Sequence, residues 1–177
     1  MQICDAYWER LAQPPDGSLE DAFSEEAMQR YNEYVSAVNE LGRRGSDVLE
    51  WACSHLNHPE YDAREQAAFL VGEIIARDDV DEPTDVVIDA LSKLAMRPVE
   101  EDNKEAQANS SALIALGKLG DRRGIPAIRH VLTSPEWEED DNQLMAAEAL
   151  EQILGESFDD SDVVEVARDW LAENPDL

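Results

Sequence analysis

Three stretches of the chain carry carboxylates at helical spacing. Asp47, Glu50, Trp51 and Ser54 stand at i, i+3, i+4 and i+7, which puts them on one face of a helix. Val48, Leu49, Ala52, Cys53 and Leu56 take the other side. In the same way Asp85, Asp89 and Ser92 oppose Val87, Ala90, Leu91 and Leu94, while Asp162, Glu165 and Asp169 oppose Val163, Val166, Ala167 and Trp170. Carboxylates grouped like this could act as general acid and base or face a basic partner. Each group is also what the solvated side of an amphipathic helix looks like. Scattered carboxylates always allow an acid–base pair somewhere, so that chemistry carries little weight here.

Other reactive residue types are sparse. The histidines are His55, His58 and His130; the first two are three apart near a helix end, with Glu60 close by. A zinc site needs more ligands, and Cys4 and Cys53 lack metal-ligand spacing, so the expectation is no metal and two reduced, packed thiols. There is no G-x-S-x-G, no HExxH and no phosphate-binding glycine loop. Acidic runs punctuate the turns: Asp78–Glu82, Glu100–Asp102, Glu138–Asp141 and Asp159–Asp162. None has the order of a calcium loop, and several sit where a helix N-terminus favours negative charge. Arg43-Arg44 and Arg122-Arg123 interrupt the acidity at equivalent turns. They are expected to meet helix C-termini and nearby carboxylates, or else an acidic segment of a partner.

The charge balance narrows the partners. Lys+Arg is 14 against Asp+Glu 41, a net −27 over 177 residues, and the only lysines are Lys93, Lys104 and Lys118. Such a field repels phosphate backbones and argues against nucleic acid, while it attracts basic proteins and speeds their encounter. Plain solubility, or adaptation to a salty cytoplasm, accounts for the same composition. With 43% hydrophobic residues the chain can bury a core and is not a disordered polymer. No basic segment followed by a long apolar run opens it, and no stretch has the length of a membrane span. The expectation is one cytoplasmic domain over 1–177, without membrane contact and without cofactors.

The elements that must position these residues are all helical, since no run alternates with period two. Expected helices cover about 2–12, stopped by Pro14-Pro15-Asp16-Gly17 and serving as an N-terminal cap over 1–17; 24–41, capped by Ser24; and 46–56, capped by Ser46. Helix pairs then follow at about 61–76 with 84–95, 104–119 with 123–133, and 142–154 with 160–172, which makes 18–177 a run of repeats. Pro59-Glu60-Tyr61 and Pro135-Glu136-Trp137 open equivalent repeats, and Pro126 suits a first helical turn.

The helices copy one another. Ser111–Leu132 holds a helical period, a Leu-Gly-Asp stop, a turn and a second helical period; Ala67–Ile74 matches its first part at an offset of 45, Ala146–Ile153 at 34, and Tyr34–Gly42 more weakly at 78. Self-similarity at this spacing is the signature of a helical solenoid. Gly72 and Gly117 fall at the same repeat position, although a glycine inside a helix costs about 1 kcal/mol against alanine, so close helix approach is expected there. The stretch Leu116-Gly-Lys-Leu-Gly-Asp-Arg-Arg-Gly-Ile-Pro-Ala-Ile128 resembles the HEAT-like repeat of the phycobilin-lyase type. The likeness is good over about 105–132 and recognisable at 64–94 and 142–171, where Glu151 replaces the glycine and Gly155-Glu-Ser-Phe replaces the Gly-Asp turn; before 45 it is faint.

The resemblance implies an all-α, HEAT-like superhelix of about four helix pairs whose second helices line a concave face. The candidate partner-binding face is then Asp47, Glu50, Trp51, Ser54, Asp85, Asp89, Ser92, Asp162, Glu165 and Asp169, an acidic groove with Trp51 either an aromatic anchor or packed core. The expected role is a non-catalytic module that docks a basic protein, in its sharpest form an immunity protein or inhibitor neutralising a basic toxin such as a nuclease. The alternatives are a bilin-lyase-like or other cofactor-handling enzyme, which the resemblance alone supports, and a protein whose carboxylate rows mimic DNA.

Overall fold

The computed structural model of the chain describes residues 8, 25–77, 85–99, 103–137, 141–158 and 162–177. Among them every regular element is helical, in four pairs: α1 (Glu25–Gly42) with α2 (Ser46–Ser54), α3 (Tyr61–Ile75) with α4 (Asp85–Ala95), α5 (Asn103–Leu119) with α6 (Ile125–Thr133), and α7 (Asn142–Leu154) with α8 (Val163–Glu173). Short 3-10 turns at His55–Asn57, Arg122–Gly124 and Pro135–Trp137 join them. The expected 2–12 helix apart from Trp8, its Pro-Gly stop, the Ser24 cap and most of the four acidic runs lie outside the described residues.

The architecture is the all-α solenoid that the repeats imply. First helices stack on first helices (α1 on α3, α3 on α5, α5 on α7), and second helices follow in parallel order (α2, α4, α6, α8). Each second helix also packs on the first helix of the following pair: α2 on α3, α4 on α5, α6 on α7. Between them runs one continuous core from Ala37, Leu41 and Leu49 through Leu70, Leu91 and Leu113 to Ile128, Leu150 and Leu171. The apolar sides predicted for α2 and α4 are the buried ones, with Ile88 added and Ala90 half-buried.

Local signals explain the boundaries. α5 stops where Gly120 takes φ 66°, a left-handed conformation that costs glycine nothing, and Asp121 then accepts the Arg123 N–H to start the next turn. Pro126 sits in the first turn of α6, where its missing N–H is no loss. The expected Ser46 cap is corrected: Gly45 (φ 55°) stands at the cap and Ser46 is already helical, because the tight 43–45 turn needs the glycine backbone there. Trp137, the counterpart of Tyr61, is fully buried.

The aligned glycines are contact points. A Cβ on Gly72 would lie 3.4 Å from Ala115 Cβ; one on Gly117 would lie 3.0 Å from Ala149 Cα and 2.6 Å from Gln152 Oε1. Each glycine thus lets its first helix settle on an alanine of the next. Glu151, at the same position in α7, accepts the Phe158 N–H instead.

Buried polar residues tie the repeats together at another aligned position. Arg64, 1% exposed, donates to the carbonyls of His58 (2.7 Å) and Pro59 (2.8 Å) and pairs with Glu105. Asn109, its counterpart in α5, donates to the Arg97 carbonyl at 2.7 Å. Burial and the nearby Arg97 hold the Arg64 pKa below its ordinary value, opposed by Glu105. Sequence reading passed over this pair because an arginine in a helix usually reads as surface.

Candidate functional site

The ten predicted partner-binding residues lie on three helices, α2, α4 and α8 with its cap, and do not form one uniform row. On α2, Asp47, Glu50 and Ser54 are exposed; on α4, Asp85 and Asp89 are exposed and Ser92 half-exposed; on α8 and its cap, Asp162, Glu165 and Asp169 are exposed. The third pair breaks the sequence of acids. The side of α6 that reaches solvent carries Pro126, Arg129, His130 and Thr133. Arg129 reaches across to donate to the carbonyls of Leu171 (2.9 Å) and Asn174 (2.8 Å), clasping the C-terminal end of α8. Arg168 returns the favour with an Nε–H bond to the Leu132 carbonyl at 2.7 Å. These two arginines neutralise carbonyl ends that a helix leaves open.

Some of the predicted carboxylates are already engaged. Asp85 pairs with Arg123, which also grips Asp121 through Nη2 at 2.6 Å. That guanidinium holds the Asp121 carboxyl below the usual carboxylate range. Asp162 accepts the Glu165 N–H at 3.2 Å and caps α8. Arg44 pairs with Glu40 at 3.4 Å. Asp47, Glu50, Asp89, Glu165 and Asp169 make no ion pair among the described residues.

Trp51 does not stand free as an anchor. It is half-buried, its ring edge-on to Trp8 with centroids 5.7 Å apart and tilted against His55 at 4.6 Å. His55 also packs on Trp8 at 4.3 Å, and its Nδ1 donates to the Trp51 carbonyl at 2.9 Å. His58 accepts the Glu60 N–H on Nδ1 at 3.1 Å. Both imidazoles therefore serve the turn that joins α2 to α3, and each commits one ring nitrogen to it. No group of three or more His, Cys, Asp or Glu among the described residues could hold a metal ion.

Between α2 and α4 the predicted face is concave. A shallow cleft of about 480 Å³ opens there, walled by Glu50, Cys53, Ser54 and Asn57 on one side and Val86, Asp89, Ala90 and Lys93 on the other. It brings together three predicted residues, Glu50, Ser54 and Asp89, with Asn57, Val86 and Lys93, which the predicted face left out, and with Cys53 and Ala90, which the spacing assigned to the opposite side. Val86 is 64% exposed although apolar, a signal that a residue-by-residue amphipathic reading could have caught. The Ser54 hydroxyl turns back to its own helix, donating to the Trp51 carbonyl at 2.6 Å. Burial, and secondarily the charge of Glu50, push the Cys53 thiol up to about 11, so it is neutral and a poor nucleophile at physiological pH.

Geometry of this kind can recognise charge and shape. No helix among the described residues is long and apolar enough to cross a membrane. Comparison with known families finds that residues 110–134 match the PBS lyase HEAT-like repeat, the second half of α5 and all of α6. That segment carries Gly117, Gly120 and Pro126, the landmarks on which the resemblance rests. No curated protein matches the chain. A HEAT-like repeat points to a repeat-type module for protein interaction.

Proposed function

We propose that this chain is a non-catalytic binding module that docks a basic protein on the exposed side of its second helices. The observation that carries the reading is the set of exposed carboxylates Asp47, Glu50, Asp89, Glu165 and Asp169, which make no ion pair among the described residues, on a chain of net charge −27. Charges that are not used within the fold are free to steer a partner of opposite sign and to complement it on contact. Arg129 and His130 interrupt the acids between α4 and α8, which divides the surface into two acidic stretches rather than one groove. In its sharpest form the proposal is an inhibitor of a basic toxin, such as a nuclease, and rests there on charge and size.

The test is a pull-down from lysate of the native host with the tagged full chain, followed by association kinetics on whatever basic protein binds stoichiometrically. The association rate should fall steeply with salt and fall again in the triple variant Asp47→Asn, Glu50→Gln, Asp89→Asn. A partner that is acidic, or one whose association rate ignores both salt and these substitutions, refutes the reading. A bound nuclease whose activity is lost on mixing supports the inhibitor form.

A further inference from the structure

The α2–α4 cleft combines several features in one place. It is concave, and its two carboxylates come from different helices, Glu50 from α2 and Asp89 from α4. Neither has a hydrogen bond or ion pair among the described residues, and neither does Lys93, one turn beyond Asp89. Between the charges the lining is apolar: Val86 with 64% of its surface open, Ala90, and the Cys53 side chain, 5% exposed and held as the neutral thiol with no hydrogen-bond partner. Two carboxylates against one ammonium leave the lining one negative charge in excess. A bare ion would find charge here but waste the apolar wall. An apolar side chain would find the wall but leave both carboxylates desolvated and unmatched.

We infer that this cleft receives an arginine side chain of the protein partner, its methylene stem against Val86 and Ala90 and its guanidinium between Glu50 and Asp89. The inference rests on the binding role proposed above and names the chemistry of one contact within it. Arginine fits better than lysine for three physical reasons. Its planar head carries five N–H donors, enough to serve carboxylates on two walls at once. It is more weakly hydrated than an ammonium, so entering an apolar-lined cleft costs it less. Its stem is long enough to lie along the wall while the charged end reaches the acids.

The test is a titration of the isotope-labelled full chain with a short, otherwise uncharged peptide bearing one central arginine, followed by amide chemical shifts. Saturating shifts should appear at Glu50, Cys53, Asp89 and Ala90. They should weaken by about tenfold or more in the double variant Glu50→Gln, Asp89→Asn, since each charged hydrogen bond to arginine is worth a sizeable factor. The peptide with citrulline in place of arginine, nearly the same shape without the charge, should give none. The control Glu165→Gln, Asp169→Asn, on the other acidic stretch, should bind as the parent does. All these side chains are exposed, and the unperturbed spectrum of each variant reports that it has folded.

Shifts spread evenly over both acidic stretches, or shifts at the cleft that survive Glu50→Gln, Asp89→Asn, overturn the inference. So does the absence of shifts. The wider binding role fails separately. A captured basic partner that holds the double variant as tightly as the parent leaves that role standing and removes the arginine contact. An empty pull-down beside a titrating peptide does the reverse.

Discussion

The two aligned glycines support a paired experiment in which one energetic effect cancels. Replacing a helix-interior glycine by alanine gains about 1 kcal/mol of helix propensity at either position. What differs is the space. At Gly72 the new methyl would meet Ala115 Cβ at 3.4 Å and Lys118 Cδ at 3.6 Å, ordinary contact distances. At Gly117 it would meet Ala149 Cα at 3.0 Å and Ala149 Cβ at 3.2 Å; Gln152 Oε1, at 2.6 Å, can swing away, but a backbone atom cannot. α5 and α7 must then separate by a few tenths of an ångström, and overpacking of this kind costs about 1–3 kcal/mol. Gly72→Ala is therefore expected to be stabilising by up to about 1 kcal/mol. Gly117→Ala should be less stable than Gly72→Ala by about 1–3 kcal/mol, the overpacking cost alone. For a chain of this size each kcal/mol moves Tm by about 2–4 °C, so the two variants should differ by several degrees. Thermal unfolding followed by far-ultraviolet circular dichroism, with denaturant midpoints as a check, reads the difference directly. If Gly117→Ala melts at or above Gly72→Ala, the first helices are not held at the distance inferred from these contacts, and the glycine argument is wrong.

Further expectations follow from single side chains. Arg64→Ala should cost about 3–5 kcal/mol, because it opens a cavity, leaves two carbonyls without their donor and leaves Glu105 with Arg97 alone; denaturant unfolding measures it. Trp51→Ala should cost about 2 kcal/mol, roughly half the value for a fully buried tryptophan, and should also change the fluorescence of Trp8 through the lost ring contact. Burial and the neighbouring Asp62 raise the Glu65 pKa, so its ionised form opposes folding: its contribution is favourable at low pH and is lost as pH rises through the folded value. Glu65→Gln should accordingly stabilise the chain at neutral pH and make no difference in acid, which midpoints taken across pH will show. In a Cys4→Ser background, Cys53 should resist alkylation at mildly alkaline pH until the chain unfolds, as its thiol titrates at about 11.

Much of the fold could be read from residue order. Helical period, the Leu-Gly-Asp stop and Pro126 placed most boundaries within a residue or two, because those signals act locally and the repeat supplied several copies of each. The Ser46 cap failed since serine and glycine compete for such a turn, and only the backbone geometry of 43–45 decides between them. The predicted face was half legible. Spacing along one helix tells which side is polar, and the apolar sides of α2 and α4 are indeed the buried ones. It cannot tell that Asp85 meets Arg123, 38 residues away, or that Asp162 is spent on a cap. Nor does it show that Trp51 meets a ring from the N-terminal segment. The cleft was legible least, because its walls belong to two helices and Val86 looks like an ordinary core residue in the sequence.

The packing of each second helix on the next pair's first helix has a consequence for where the chain can be divided. The hairpin is the natural unit to the eye, yet α3 touches α4 little, while α4 lies on α5 and α2 lies on α3. A break between α4 and α5 would part α4 from α5 as well as α3 from α5; a break between α3 and α4 parts α3 from α5 but leaves α2 on α3 and α4 on α5. Two halves separated between α3 and α4 would each keep a second helix seated on the first helix that follows it, and each would present the other with the Gly72–Ala115 seam as its joining edge. For an engineer who wants to split the molecule, insert a domain or permute its ends near its middle, the α3–α4 connection is thus a better place than the α4–α5 connection.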